Sequence, residues 1–299
     1  MTKYTFEEFQ AEYPDDAACL AKLMEINYGG TEIHCPACGV KATFHMMSKR
    51  RAFACQECGH HIYPCADTIF HKSRTKLTLW FFVMYLMTST RHGVAAKEVQ
   101  RQTGVTYKCA WRMCRELRKL MASADYTGPM RGHVEVDETH VGGHQSFSDR
   151  RHEGSNKTIV MGIVERNAPG FVGTLRAGPV PNDSASMLET IVTANVEPGS
   201  AVSTDEHKAY KYLGKLGYRH DTVTHSAGEY VRGETHTNTL EGHWSLFKRA
   251  IRGTHVHISS KHMWKYVAEF SYRRNFRYSH RAMFDRLVAS FSQPRLAET

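Results

Sequence analysis

The spacing of apolar and polar positions changes character twice along the chain. Residues 1–66 are turn-rich and carry paired cysteines, whereas residues 68–121 place apolar side chains three and four apart, the helical period. The most apolar run, 77–87, is about half the roughly 20 residues a membrane-spanning helix needs, and Lys76 and Arg91 lie near its ends, so it reads as a buried core helix. From Gly93 a short helix runs to Gln102, turns at Thr103, Gly104 and Val105, and gives way to a second helix for which Thr106 can serve as N-cap. That order is helix-turn-helix grammar. On the second helix Ala110, Met113, Cys114, Leu117 and Met121 form an apolar stripe, and Lys108, Arg112, Arg115 and Lys119 fall on the opposite side, where a basic face suits the DNA major groove and its phosphates.

The helical pattern breaks at 126–129. Beyond it the pattern predicts strands at 133–139, 158–165 and 170–176, a helix at 184–195, a strand at 201–205, a helix at 208–216, a short strand at 222–225, and helices at 239–251 and 260–276. Three consecutive strands followed by alternating helices and strands indicate an α/β domain with a mixed sheet, which can present acids at its strand ends. The expected organisation is therefore a ribbon at 1–66, a helical DNA-binding segment at 67–127, and a main body at 128–299 that includes a C-terminal helix. The short tail after Phe291 reads as frayed.

Composition narrows the class. With 299 residues, 41% of them hydrophobic and 23% charged, and a mean hydropathy of -0.48, the chain is ordinary globular material of more than one unit, and wholesale disorder is excluded. Lys plus Arg number 39 against 30 acids, a net charge of +9, which favours a polyanionic partner such as nucleic acid. The opening MTKYTFEEFQ has neither a basic start before an apolar run nor a cleavage site, so the expected location is the cytoplasm.

Four of the eight cysteines form two C-x-x-C pairs, Cys35/Cys38 and Cys55/Cys58, each followed by Gly and separated by 16 residues. That spacing lets two tight knuckles supply four thiolates to one tetrahedral Zn²⁺, with no open position for catalysis, so the zinc is expected to be structural. Cys65, His60 and His61 are the competing ligands in sequence.

The acids carry the candidate chemistry. Asp137 lies within a strand pattern, Asp205 ends another, and Glu241 lies in the first turn of a helix that also carries Lys248, seven residues on and therefore on the same face. Two strand-borne aspartates and a helix-borne carboxylate can hold a pair of Mg²⁺ or Mn²⁺ ions about 3.5–4 Å apart, which clamp the attacking and leaving oxygens of a phosphodiester displacement. Strand alternation places Glu135 on the face of Asp137 and Glu138 on the other, making Glu135 the nearer competitor for a metal, while Asn238 is an alternative third ligand.

These motifs occur in an order that resembles a known family: bacterial insertion-sequence DDE transposases with an N-terminal zinc ribbon, the insertion-sequence family fifteen-ninety-five, also called ISXO-two-like. The resemblance rests on the cysteine ribbon, the run 68–74 (TIFHKSR), the segment 100–108 (QRQTGVTYK) with Trp111, Arg112 and Met113, the run 136–139 (VDET) with 141–143 (VGG), and 203–205 (STD). It continues through 225–232 (HSAGEYVR), 236–241 (HTNTLE) and 244–249 (WSLFKR). It implies a ribonuclease-H-like core with Asp137, Asp205 and Glu241 as metal ligands and Lys248 as a DNA contact. Some relatives have Asn in the third position, and relatives often have Tyr at the place of His140 and Lys at that of His144.

The function expected from this series is a DNA transposase that binds terminal inverted repeats and catalyses two-metal strand cleavage and strand transfer on double-stranded DNA. Lys248, Arg249, Lys108, Arg112 and Arg115 are the expected DNA contacts, and joining two DNA ends implies a homodimer or higher oligomer during synapsis. The competing readings are a DNA-binding regulator or domesticated transposase without catalysis, for which ribbon and helix-turn-helix suffice, and a host nuclease such as a junction resolvase, which shares the metal chemistry.

Overall fold

The structure, a computed structural model, describes residues 3–123, 128–142, 157–166 and 173–292. It divides into two compact units, Met1–Ala124 with Phe276–Thr299, and Asp125–Asn275. His144, Gly143, residues 126–127, the start of the strand expected at 170–176 and the tail after 292 lie outside the described residues.

In the first unit the turn-rich reading of residues 1–66 misses two helices, α1 (Phe6–Glu12) and α2 (Asp16–Tyr28). Their signals are local: Thr5 and Glu8 form a reciprocal capping box, Asp15 accepts from the amide of Ala18, and Gly29 closes α2 at φ 77°. A four-stranded antiparallel ribbon follows, β1 (Glu32–His34), β2 (Lys41–Met46), β3 (Phe53–Cys55) and β4 (His61–Ile62). The apolar run forms α3 (Leu77–Ser89), with Leu77, Trp80, Phe81, Val83, Met84 and Met87 buried as expected. The helix-turn-helix pattern becomes α4 (Ala96–Thr103), a turn at Gly104 (φ 71°) and α5 (Tyr107–Ala122), capped by Thr106 through the Cys109 amide.

Two groupings differ from the sequence expectation. Ribbon and helices form one unit because polar side chains tie them: Asp16 of α2 accepts from the amide and hydroxyl of Thr78, each at 3.0 Å, and Arg51 reaches Asp16 and the carbonyls of Ser73 and Thr75. The C-terminal segment, expected with the main body, joins this first unit instead. Helix α9 (His280–Ala289) sets Phe284 among Tyr4, Phe9, Tyr13 and Phe81, and Arg281 grips Glu12 through two hydrogen bonds of 2.7 and 2.9 Å. An aromatic cluster assembled from three distant segments has no periodic signature in the chain.

The second unit contains the mixed sheet. Among the described residues it has five strands in the order β7-β6-β5-β8-β9: β5 (His133–Val141), β6 (Thr158–Glu165), β7 (Leu175–Val180), β8 (Ala201–Thr204) and β9 (Arg219–Thr222). The first three pair antiparallel, and β8 and β9 run parallel to β5. One face packs Val134, Val136, Met161 and Ile163 under Leu188 and Val192 of α6 (Ala185–Asn195). The other packs Val141, Val160 and Val164 against Leu240, Trp244 and Phe247 of α7 (Asn238–Ala250) and Met263, Val267 and Phe270 of α8 (Ser260–Asn275). Burial on both faces explains why β6, TIVMGIVE, reads as a nearly continuous apolar run. The helix expected at 208–216 is instead two 3-10 turns, Lys208–Tyr210 and Leu213–Leu216, where Gly214 and Gly217 weaken a continuous helix.

Candidate catalytic site and metal centre

Strand register brings the two aspartates together. Glu135 of β5 pairs in parallel with Ser203 of β8, so two residues on, Asp137 and Asp205 come side by side at the centre of the sheet, where β8 has just ended. Alternation turns Asp137 towards α7, and the indole Nε1 of Trp244 donates to its Oδ2 at 2.9 Å. Asp205 accepts from the amide of His207 at 3.0 Å. Glu241, one turn into α7, accepts from the Thr237 hydroxyl at 2.9 Å and lies 3.2 Å from Nε2 of His225.

Burial first, then the charges of Glu138, Asp205 and Glu241, push the Asp137 carboxyl up to about 8, while the Trp244 hydrogen bond opposes the shift. Lys248 lies on the same helix; burial lowers its ammonium, Asp137 opposes that, and Lys157 and Arg252 reinforce it. The three expected carboxylates thus share one electrostatic neighbourhood. Their oxygens do not converge to the separation of a single-ion ligand set, since among the described residues only the cysteines do so.

The neighbouring acids take roles different from those the sequence suggested. Glu135 does share the face of Asp137, but its fully buried carboxylate is spent on structure. It accepts from Arg166 Nε at 2.8 Å, from the amide and hydroxyl of Thr239 at 2.9 and 2.8 Å, and from the amide of Leu240 at 3.3 Å. It therefore satisfies the open N-terminus of α7 and is no free competitor for a metal. Arg166 also donates to the carbonyls of Glu234 and His236, fixing the chain that leads into α7. Glu138, set aside by alternation, is held by the Tyr210 hydroxyl and lies 3.5 Å from Nδ1 of His207; burial and then Asp205 raise its carboxyl. Alternation set Glu138 aside, and Trp244 and His225 stood only within motifs; Tyr210 and Arg166 carried no signal because their partners lie 72 and 31 positions away, and His207 none because it lies in a loop after β8.

The cysteine tetrad is fully assembled in the first unit. One ligand atom from each of Cys35, Cys38, Cys55 and Cys58 lies within 4.8 Å of the others, all as free thiols. Each knuckle turns at a glycine with positive φ, Gly39 at 74° and Gly59 at 72°, whose amides bond back to the carbonyls of Cys35 and Cys55. Burial opposes ionisation of Cys35, but the amides of Cys38 and Ala37 and the nearby thiols outweigh it and bring the group to about 6, which favours a metal-binding thiolate. Cys65 stands outside the cluster, its thiol pushed up to about 11 chiefly by burial.

On α5 the apolar stripe is buried as expected, but the basic face is not uniformly open. Lys108 is exposed, whereas Arg112 donates to the carbonyl of Ile69 at 3.3 Å and stacks 5.7 Å over Trp80, so it packs within the unit. Arg115 pairs with Glu116 at 2.7 Å and lies over Trp111. Arg249, on α7, is exposed. No helix among the described residues is long and apolar enough to cross a membrane.

Comparison with known proteins agrees with this architecture. Residues 129–275 match the ISXO2-like transposase domain, and residues 14–61 match the transposase zinc-ribbon domain. The chain is also 26% identical over 256 residues, 81% of its own length and 85% of the other's, to a protein of Halobacterium salinarum described as an uncharacterized protein in transposable element ISH50. Two transposase domains thus match in order along the chain, a zinc ribbon at 14–61 ahead of an ISXO2-like domain at 129–275, and the chain is similar to insertion-sequence transposases.

Proposed function

We propose that the protein is an active DNA transposase that cuts the ends of its element and joins them to target DNA, with Asp137, Asp205 and Glu241 as catalytic carboxylates. The observation that carries this reading is the crowding of a half-buried Asp137 by Glu138, Asp205 and Glu241, a repulsion that bound cations would relieve. The ribonuclease-H-like assignment of the core is supported by three consecutive antiparallel strands continued by two parallel ones, with the acids at adjacent strand positions.

Mg²⁺ or Mn²⁺ held by these three carboxylates would supply Lewis-acid stabilisation of the attacking and leaving oxygens of a phosphodiester. The protein's own groups prepare the place: Trp244 orients Asp137, Thr237 and His225 orient Glu241, and Lys248 contributes a positive charge beside Asp137 for a DNA phosphate. Asn238 opens α7, one turn before Glu241, and Glu241 is taken as the third ligand because its carboxylate, unlike an amide, offsets a cation's charge. The four cysteines fit a structural Zn²⁺. Double-stranded DNA is the partner, met by Lys248 and Arg249 at the core and by Lys108 of the helix-turn-helix, with Arg115 as a further contact; a dimer or larger assembly would hold two ends together.

The test is strand cleavage and joining on DNA carrying the sequence that flanks the gene, with Mg²⁺. Asp137→Asn and Asp205→Ala are expected to abolish cleavage while binding persists. Mg²⁺ should raise the melting temperature of the wild type and leave that of Asp137→Asn unmoved. Cleavage surviving in both variants would overturn the assignment, and binding without cleavage by the wild type would favour a DNA-binding regulator.

A further inference from the structure

Helix α7 does not end in an ordinary cap. It runs into a π-helical turn, Ile251–His255, closed by a bond from the Val256 amide to the Ile251 carbonyl. Val256 then adopts φ 63° and ψ -54°, and the amide of His257 bonds to the carbonyl of His255 at 2.7 Å. This is a γ-turn of the rare, strained kind, centred on a β-branched residue, where glycine would carry no penalty. The surroundings hold it in place. Ile251 and Ile258 on either side are buried, and the His255 ring sits edge-on 4.8 Å from Tyr266 of α8, yet Val256 itself is 80% exposed. A strained turn fixed by its neighbours and presenting one apolar side chain to solvent points to a contact made elsewhere.

The setting says which contact. The turn borders a pocket of about 500 Å³ lined by His140, Lys157, Lys248, Arg252, His257 and Val256 together with apolar and glycine positions. Among the described residues lining it there is no carboxylate. Basic side chains surrounding a single projecting aliphatic group form the combination with which proteins grip backbone phosphates and wedge apart a base step.

We propose that the turn 255–257 inserts the Val256 side chain between stacked bases of the bound DNA, with Lys157, Arg252 and His257 holding the flanking phosphates. The inference rests on the DNA transposase reading above and extends it. Unstacking at this turn would kink the duplex and let the backbone of one strand turn towards Asp137, Asp205 and Glu241.

The experiment uses the full chain and duplexes of the gene-flanking sequence with 2-aminopurine at successive adenines, read at saturating protein. The wild type is expected to raise fluorescence sharply at one or two adjacent positions. Val256→Gly suits the positive φ, so it folds, and once bound at saturating protein it should lose the fluorescence rise. Val256→Phe should restore it. Arg252→Ala with Lys157→Ala should weaken binding and lower the salt slope of binding by about one for each phosphate no longer neutralised. Bound DNA with no fluorescence rise at any position, or an equal rise with Val256→Gly, would overturn the wedge while leaving the transposase reading intact. Absence of DNA binding by the wild type would overturn both.

Discussion

The indole of Trp244 donates a 2.9 Å hydrogen bond to the carboxyl of Asp137, linking the helix that carries Glu241 and Lys248 to the strand that carries the first candidate metal ligand. Trp244 itself is 4% exposed, so its position is set by the core and transmitted to the carboxyl. Trp244→Phe keeps an aromatic ring and removes the donor, at an expected cost of about 1 kcal/mol for one hydrogen bond to a half-buried acceptor. A positioning role predicts that cleavage by the variant needs a higher Mg²⁺ concentration for half-maximal rate, which a purely structural loss would not produce.

Gly162 sits opposite Asp137 in the β5–β6 register and lets α7 come close to the sheet. A Cβ there would lie 2.6 Å from the Trp244 ring and 2.9 Å from Leu240. Gly162→Ala should therefore destabilise by about 1–3 kcal/mol through overpacking. It should also lower cleavage, because the ring that must yield is the one that holds Asp137; chemical denaturation and single-turnover cleavage read the two effects separately.

Glu135 and Asp137 share a strand face but should respond in opposite ways to amide substitution. Glu135→Gln breaks a buried ion pair with Arg166 and weakens the cap of α7, for an expected loss of about 3–5 kcal/mol by urea denaturation. Asp137→Asn removes one of several mutually repelling acids, and without metal it should melt no lower than the wild type.

Zinc is expected at one ion per chain by elemental analysis, lost with Cys38→Ser. Chelation should remove hydrogen-exchange protection from β1 to β4, whose small strands bury few side chains and rely on the metal as their centre.

Acid stability should have an identifiable origin in the first unit. Burial opposes it, but the amides of Thr78 and Leu77, the Thr78 hydroxyl and Arg51 together hold Asp16 below its usual value, and hydrogen bonds from Arg281 and two tyrosines do the same for Glu12. Depressed folded values mean that this stability is present above the unfolded values of about 4 and is lost as pH falls through the lower folded values. Asp16→Ala should cost about 1 kcal/mol at pH 7, as loss of a cap does, and should flatten the decline measured by denaturation between pH 5 and the acid limb, roughly pH 3.

Much of this architecture was legible in the chain. Two C-x-x-C-Gly knuckles encode their own turn and ligands, the run at 77–87 encodes a buried helix, and Thr106 encodes the start of α5, because each depends on neighbours within a turn or two. The positions of Asp137, Asp205 and Glu241 were also readable as a strand residue, a strand-end residue and a first-turn helix residue. The packing of Arg112 against Trp80 was not, since an arginine on the polar side of a helix looks solvated until another element partly covers it.

Assembly of the fold settled the division of labour among the acids and the placement of the C-terminus. Strand alternation puts Glu135 and Asp137 on the same face, and the difference between them arises from the helix N-terminus and Arg166 that meet Glu135, and the indole and carboxylates that meet Asp137. Likewise Phe284 and Arg281 find Tyr13 and Glu12 across most of the chain. Local periodicity fixes which way a side chain points; the energy of a buried charge depends on what arrives from elsewhere, and that is settled when the sheet and helices close together.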